Sequence, residues 1–255
     1  MKNKIKLIFT LLVSLSIFSQ NKQNDAEFWS MPLEYKSVPS ITEQIKNGTF
    51  VPAKVSDLEP KERKDKKILS NKVVPGKGLP EGIDPLVNSK TKKILKQTKE
   101  PSLVFETLNY TTNGCPSDPT GVMGNDYYLA AWNPAFRFYD RDGNPVTPLA
   151  DTTTLFGQDD MGDPIVLYDN EADRYIVTVM ASSSLKLAIS QTSDPINDGW
   201  HVYSLTTTNM PDFPKYSIWS DGYYVTVNAN PNDFYVLERE KIINGDPTAS
   251  IQGST

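Results

Sequence analysis

An all-β fold of the β-propeller type follows from two features of this 255-residue sequence. The first is the stretch 162–205, where four short apolar or aromatic runs (165–168, 175–180, 185–190 and 200–205) alternate with turns rich in Asp, Asn, Ser, Gly and Pro. Four strands and three turns in about forty residues are the content of one propeller blade. The second is a repeat: a polar turn followed by an aromatic, β-rich run recurs so that Tyr128, Tyr175 and Tyr224 fall at intervals of 47 and 49 residues. A period of that length signals stacked blades, because one blade cannot bury both of its faces alone. Residues 101–255 supply about three blades, fewer than the four or more of a closed ring. The expectation is therefore a propeller portion whose ring is completed by a remainder outside this chain.

Taken in order, the chain begins with the basic residues Lys2, Lys4 and Lys6 and a largely apolar run over 7–18. That pattern reads as a secretory signal peptide over 1–19, since the run is shorter than the roughly 20 residues of a spanning helix. No transmembrane segment is expected after cleavage. Residues 20–100 are rich in Lys and Pro without a sustained period, which predicts a basic linker or pro-segment. Within it, Ser40 followed by Glu43 has capping-box spacing and predicts a short helix over 40–46. Lys90, Lys92, Lys93, Lys96 and Lys99 form either a solvated face or a basic arm for an acidic polymer.

From residue 102 the texture turns to strands. Runs at 103–110, 127–132 and 136–139 precede Asp140-Arg141-Asp142-Gly143-Asn144, whose Asp-Gly pair predicts a hairpin turn. The string also matches the start of a calcium loop but lacks the spaced glutamate of an EF-hand. Asp118-Pro119, Asp163-Pro164 and Asp194-Pro195 read as turn starters, the Asp side chain accepting a backbone N–H. Residues 244–255 read as a polar tail part-way into a further blade.

Charge is unevenly spread. Residues 1–100 carry 19 basic and 11 acidic side chains, which leaves 7 basic and 20 acidic in 101–255 and a net charge of −13 there. A domain so acidic repels phosphate backbones, which argues against nucleic acid as a partner. Cys115 is the only cysteine and His201 the only histidine, so no internal disulfide and no multi-histidine zinc site can form. A Cys/His or Ser/His/Asp mechanism would rest on His201 alone.

The remaining chemistry lies in carboxylates and aromatics. Asp159, Asp160 and Asp163 form the densest acidic cluster; they either cap turns or offer oxygen ligands to calcium. Asp118, Asp163 and Asp221 are the candidate catalytic carboxylates of a glycoside-hydrolase reading, which needs a pair of acids flanking the scissile bond. Glu171, Glu238 and Glu240 sit in a turn and a charged run, poor places for a general acid. Trp132, Trp200, Trp219, Tyr128 and Tyr224 are the candidate ligand-binding rings, flat faces for sugars, although most such rings serve core or inter-blade packing. These features favour a binding module for polysaccharide or a surface protein, with the hydrolase and a purely structural scaffold as alternatives.

An ordered series of motifs carries a family resemblance. Gly162-Asp163-Pro164 with Tyr168-Asp169 and Asp173-Arg174-Tyr175 is followed by Leu187-Ala188-Ile189-Ser190, Asp194-Pro195 and Gly199-Trp200. Asp212-Phe213-Pro214-Lys215 and Trp219 with Asp221-Gly222-Tyr223-Tyr224 complete it. The series, covering roughly residues 101–246, resembles a family of secreted β-propeller proteins of Bacteroidetes-type bacteria, often exported by type IX secretion. The resemblance implies a location outside the cell or on its surface, and binding rather than a defined catalytic activity. Asp151-Thr152-Thr153 is similar to the short O-glycosylation motif of such bacteria.

Overall fold

A computed structural model of the chain describes residues 28–54, 102–107, 118–157, 161–228 and 234–254. The expected signal peptide, the lysine cluster, Cys115, Asp159 and Asp160 lie outside the described residues. The described chain is all-β, built from three antiparallel sheets with no closed barrel.

Each sheet contains a four-strand meander in chain order. The first holds β3 (Thr120–Met123), β4 (Tyr128–Trp132), β5 (Ala135–Tyr139) and β6 (Ala150–Asp151). The second holds β7 (Met161–Asp169), β8 (Arg174–Ala181), β9 (Ser184–Ser190) and β10 (Trp200–Thr206). The third holds β11 (Asp212–Ile218), β12 (Gly222–Asn228), β13 (Phe234–Glu238) and β14 (Ser250–Ser254). The four runs expected over 162–205 are therefore four consecutive strands of one sheet. The turns between them are closed by side chains of the residue types that flagged them. Asp169 Oδ1 accepts from the backbone N–H groups of Glu171 and Ala172, and Asp194 Oδ1 from those of Ile196 and Asn197. Asp140 likewise accepts from the N–H groups of Asp142 and Asn144, the turn reading of that string, with Gly143 at φ 85° completing it.

The sheets stack through two cores. Leu129, Ala131, Phe136 and Phe138 of the first sheet pack with Val166, Tyr175, Val177 and Trp200 of the second. Ile176, Leu187, Ile189 and Tyr203 on the opposite face of the second sheet pack with Tyr223, Val225, Tyr235 and Leu237 of the third. Strand β8 shows the cause: it is buried on both faces, and its side chains alternate between the two cores. First strands lie side by side, with β7 packed against β3 and β11.

Four expectations change. Residues 28–54 fall in the stretch read as linker, yet they supply β1 (Phe28–Pro32), β2 (Glu34–Val38) and α1 (Ile41–Asn47). β1 pairs with β14 and β2 with β10, while the N–H of Ala53 donates to Leu149 O and that of Asp151 to Val51 O, so the segment straps the outer edges of all three sheets. An edge strand takes its stability from hydrogen bonds to a neighbour, so its own sequence need show little period. The predicted helix is present: Ser40 is its N-cap, accepting from the N–H of Glu43 at 3.0 Å, and Ile41 is fully buried.

Residues 102–107 form no strand; Phe105 instead places its ring 5.9 Å from that of Tyr128 and 5.5 Å from that of Tyr139. The polar tail contains β14, the fourth strand of the third sheet, paired on both sides. Finally, the third member of the tyrosine repeat is Tyr223. Tyr175 faces the first sheet and Tyr223 the second, whereas Tyr224 points to the opposite side, with its hydroxyl donating to Asp221 Oδ2 at 3.0 Å. A one-residue offset along a strand exchanges faces.

Candidate functional site

Each sheet opens its first strand with the same corner: a residue at positive φ followed by proline. Asp118 (φ 39°), Asp163 (φ 50°) and Phe213 (φ 53°) precede Pro119, Pro164 and Pro214. Such a φ is costly for a non-glycine residue, of order 1–3 kcal/mol, and persists where the surroundings impose it. In β7 and β11 the corner is also a bulge, because the pairing register shifts between Gly162 and Ile165 and between Asp212 and Lys215. Bulges re-aim side chains, and these two turn Asp163 and Phe213 toward a shared space.

That space is an open cleft of about 480 Å³ at the strand starts, lined by all three corners together with Thr120, Ile165, Lys215 and Tyr216. Phe213 is 59% exposed and carries the Lys215 ammonium 3.7 Å from its ring centroid. Asp163 Oδ1 lies 3.5 Å from Asn133 Nδ2. Burial raises the Asp163 carboxyl above the usual aspartate value; the charges of Asp118 and Asp212 and hydrogen-bonding contact with the Asp118 side chain add to the rise, and Lys215 opposes it. The cleft thus offers the Phe213 face, two neighbouring carboxyls, the Lys215 ammonium and the Thr120 hydroxyl.

Of the expected catalytic trio, Asp118 and Asp163 meet here, while Asp221 sits at the far end of β11, bound by the Tyr224 hydroxyl. Asp163 is the only one of the expected calcium ligands within the described residues, and no group of three His, Cys, Asp or Glu side chains suited to a metal occurs among them. Of the candidate rings, Trp200 is fully buried with its indole N–H donating to Pro195 O at 3.0 Å, so it is a core residue with no face for a ligand. Trp132 is buried with Ala130, Ala135, Tyr139 and Leu149, and Tyr128 packs against the same group. Tyr224 lies on the outer face of the third sheet, its ring 6.1 Å from Phe234. Only Trp219 is largely exposed, at 68%, and it stands beyond the end of β11 rather than at the cleft.

His201 is half-buried and hydrogen-bonded to the Tyr35 hydroxyl at 3.1 Å, with burial and then Arg174 lowering its pKa. It takes no part in the cleft. Phe213 and Lys215 were not selected by sequence reading. The signal that finds them is the proline at each corner, at positions 119, 164 and 214.

No protein-family model, curated protein or solved structure matches the chain. Among the described residues, no helix is long and apolar enough to cross a membrane.

Proposed function

We propose that this chain is part of a secreted or cell-surface β-propeller binding module and that it holds a polysaccharide in the cleft at the strand starts. Three successive meanders, stacked face to face with their first strands together, support the propeller reading. The family resemblance supports the location and export by type IX secretion. The observation that carries the ligand class is the exposed Phe213 ring in one cleft with Asp118, Asp163, Thr120 and Lys215. A flat apolar face next to side-chain donors and acceptors is what a sugar ring requires, its C–H face stacking and its hydroxyls hydrogen-bonding.

The meeting of Asp118 and Asp163 gives hydrolysis a specific observation of its own. Glycosidase carboxyls stand about 5 Å or more apart to flank the bond. Asp118 and Asp163 line the same cleft, and the charge of Asp118 pushes the Asp163 carboxyl up, as neighbours that act as one acidic unit do, so binding is the stronger reading.

The test is a panel of polysaccharides in affinity gels, run on the secreted protein with and without calcium, with released reducing ends measured in the same samples. Retardation without new reducing ends, lost in Phe213→Ala, is the expected result. Release of reducing ends that disappears in Asp163→Asn would replace binding with hydrolysis.

A further inference from the structure

A second cleft lies at the other end of the same strands. Asp169 lies six positions along β7 from Asp163, roughly 20 Å at the rise of an extended chain. Here the β7–β8 turn and the β11–β12 turn meet in an opening of about 340 Å³, lined by Tyr168, Asn170, Glu171, Ile218, Trp219 and Ser220. Trp219 is the most exposed ring at this end, and its turn is closed by its own N–H donating to Gly222 O at 3.0 Å.

Arg239 of α2 (Arg239–Ile243) fixes the two turns to each other. Its guanidinium donates to both oxygens of Asp169, at 2.7 and 2.8 Å, and to Ser220 O at 3.3 Å, and its Nη2 stands 3.3 Å from Glu171 Oε2. The arrangement is rigid before any ligand arrives, which lowers the ordering cost of binding. It also uses up the cation. Asp169 and Glu171 set two carboxylates against the one guanidinium of Arg239, so these three groups keep a net charge of −1. Glu171 keeps 71% of its side chain exposed. The cleft thus sets the exposed Glu171 carboxylate beside the Trp219 ring, with the Asn170 amide, the Ser220 hydroxyl and the Trp219 indole N–H as its side-chain donors and the Tyr168 hydroxyl committed to Asp173.

We infer that this cleft is a docking site for an arginine side chain presented by a partner protein, the guanidinium stacking on Trp219 and hydrogen-bonding to Glu171. Guanidinium is planar, carries donors only, and stacks on indole while pairing with a carboxylate at its edge. A neutral sugar carries no charge to answer the excess of carboxylate in this lining. The site is independent of the polysaccharide cleft, and the two can fail separately.

The probe is the peptide acetyl-Gly-Gly-Arg-Gly-Gly-amide, titrated into the ¹⁵N-labelled full chain while the Trp219 indole N–H cross-peak is followed. The peak is assigned by its loss in Trp219→Phe. A saturable shift is expected with the arginine peptide and none with its neutral citrulline isostere. Affinity should fall about fivefold in Glu171→Gln and several-fold between roughly 50 and 500 mM salt. Equal binding of the citrulline peptide, or a shift produced by neutral oligosaccharides in place of the arginine peptide, overturns the inference. The comparison of the two peptides on the unmodified chain decides the question even where a variant folds poorly.

Discussion

Asp163 and Asp169 stand at the two ends of β7 and show opposite chemistry. Asp163, half-buried beside Asp118 and Asp212, is pushed toward its protonated form by burial first and by its acidic neighbours next. Burial alone would raise Asp169 as well. Hydrogen bonds from Arg239, Tyr223 and the backbone outweigh burial there and hold it below the usual carboxylate range. The same residue type is thus structural where its charge is matched and available to a ligand where it is not. A partly desolvated carboxyl set among like charges at an open cleft is the better functional candidate, because its surroundings oppose its charge rather than match it.

The sharpest way to break this contrast is to remove each carboxylate. Asp169→Ala strips the buried Arg239 guanidinium of its two shortest hydrogen bonds, leaving it the exposed Glu171 and Ser220 O, and should cost about 3–5 kcal/mol of stability, read from the urea midpoint. Tyr223→Phe removes the 2.8 Å hydrogen bond to Asp169 and should cost about 1.5–2 kcal/mol in the same assay, as expected for a bond to a charged acceptor. At the opposite end, Phe213→Ala should weaken polysaccharide retention about tenfold, close to 1.4 kcal/mol of binding, and shift the urea midpoint little because the ring is exposed. The smallest effect belongs to Asp163→Asn, which removes a like charge from the Asp118 pair. Its stability at neutral pH should rise by no more than about 0.5 kcal/mol.

Acid titration sharpens the comparison further. A folded-state pKa below the unfolded value means that the Asp169 contribution is complete above the unfolded value, near 3.8, and fades as pH falls through the folded one. Urea midpoints should therefore drop steeply below about pH 4 in the unmodified chain. In Asp169→Asn the starting midpoint is lower and the fall shallower. A residual fall remains, because Asp140, Asp194, Glu238 and Asp246 are also held below their ordinary values. Asp163 has the opposite sign: its raised pKa favours the folded state at low pH, and the advantage disappears as pH rises through the folded value.

The second sheet was the most legible part of the molecule. Runs read at 185–190 and 200–205 are strands Ser184–Ser190 and Trp200–Thr206, because apolar density between turn residues is a local signal. The strap over 28–54 and β14 were missed for the complementary reason. Glu34-Tyr35-Lys36-Ser37-Val38 and Ser250-Ile251-Gln252-Gly253-Ser254 are short and polar, and they become strands through the hydrogen bonds that a neighbouring edge offers. Asp118 and Asp163 were found from their Asp-Pro pairs, while Phe213 escaped because its corner carries an aromatic where the other two carry a carboxylate. Trp200 and Trp219 look alike in sequence, each close to a Gly or Ser and beside a strand, yet one is fully buried and the other 68% exposed.

By itself the sequence determined the all-β class, the turns closed by Asp side chains, the capped helix and a repeat of about 48 residues. These depend on neighbours a few residues apart, and composition and spacing encode them directly. The tertiary structure alone decided which tyrosine of the pair at 223 and 224 faces the core, which edges the strap covers, and which corners converge on one cleft. Those outcomes depend on register and sheet stacking, where a shift of one residue reverses a face and where contacts join residues 45 to 50 positions apart.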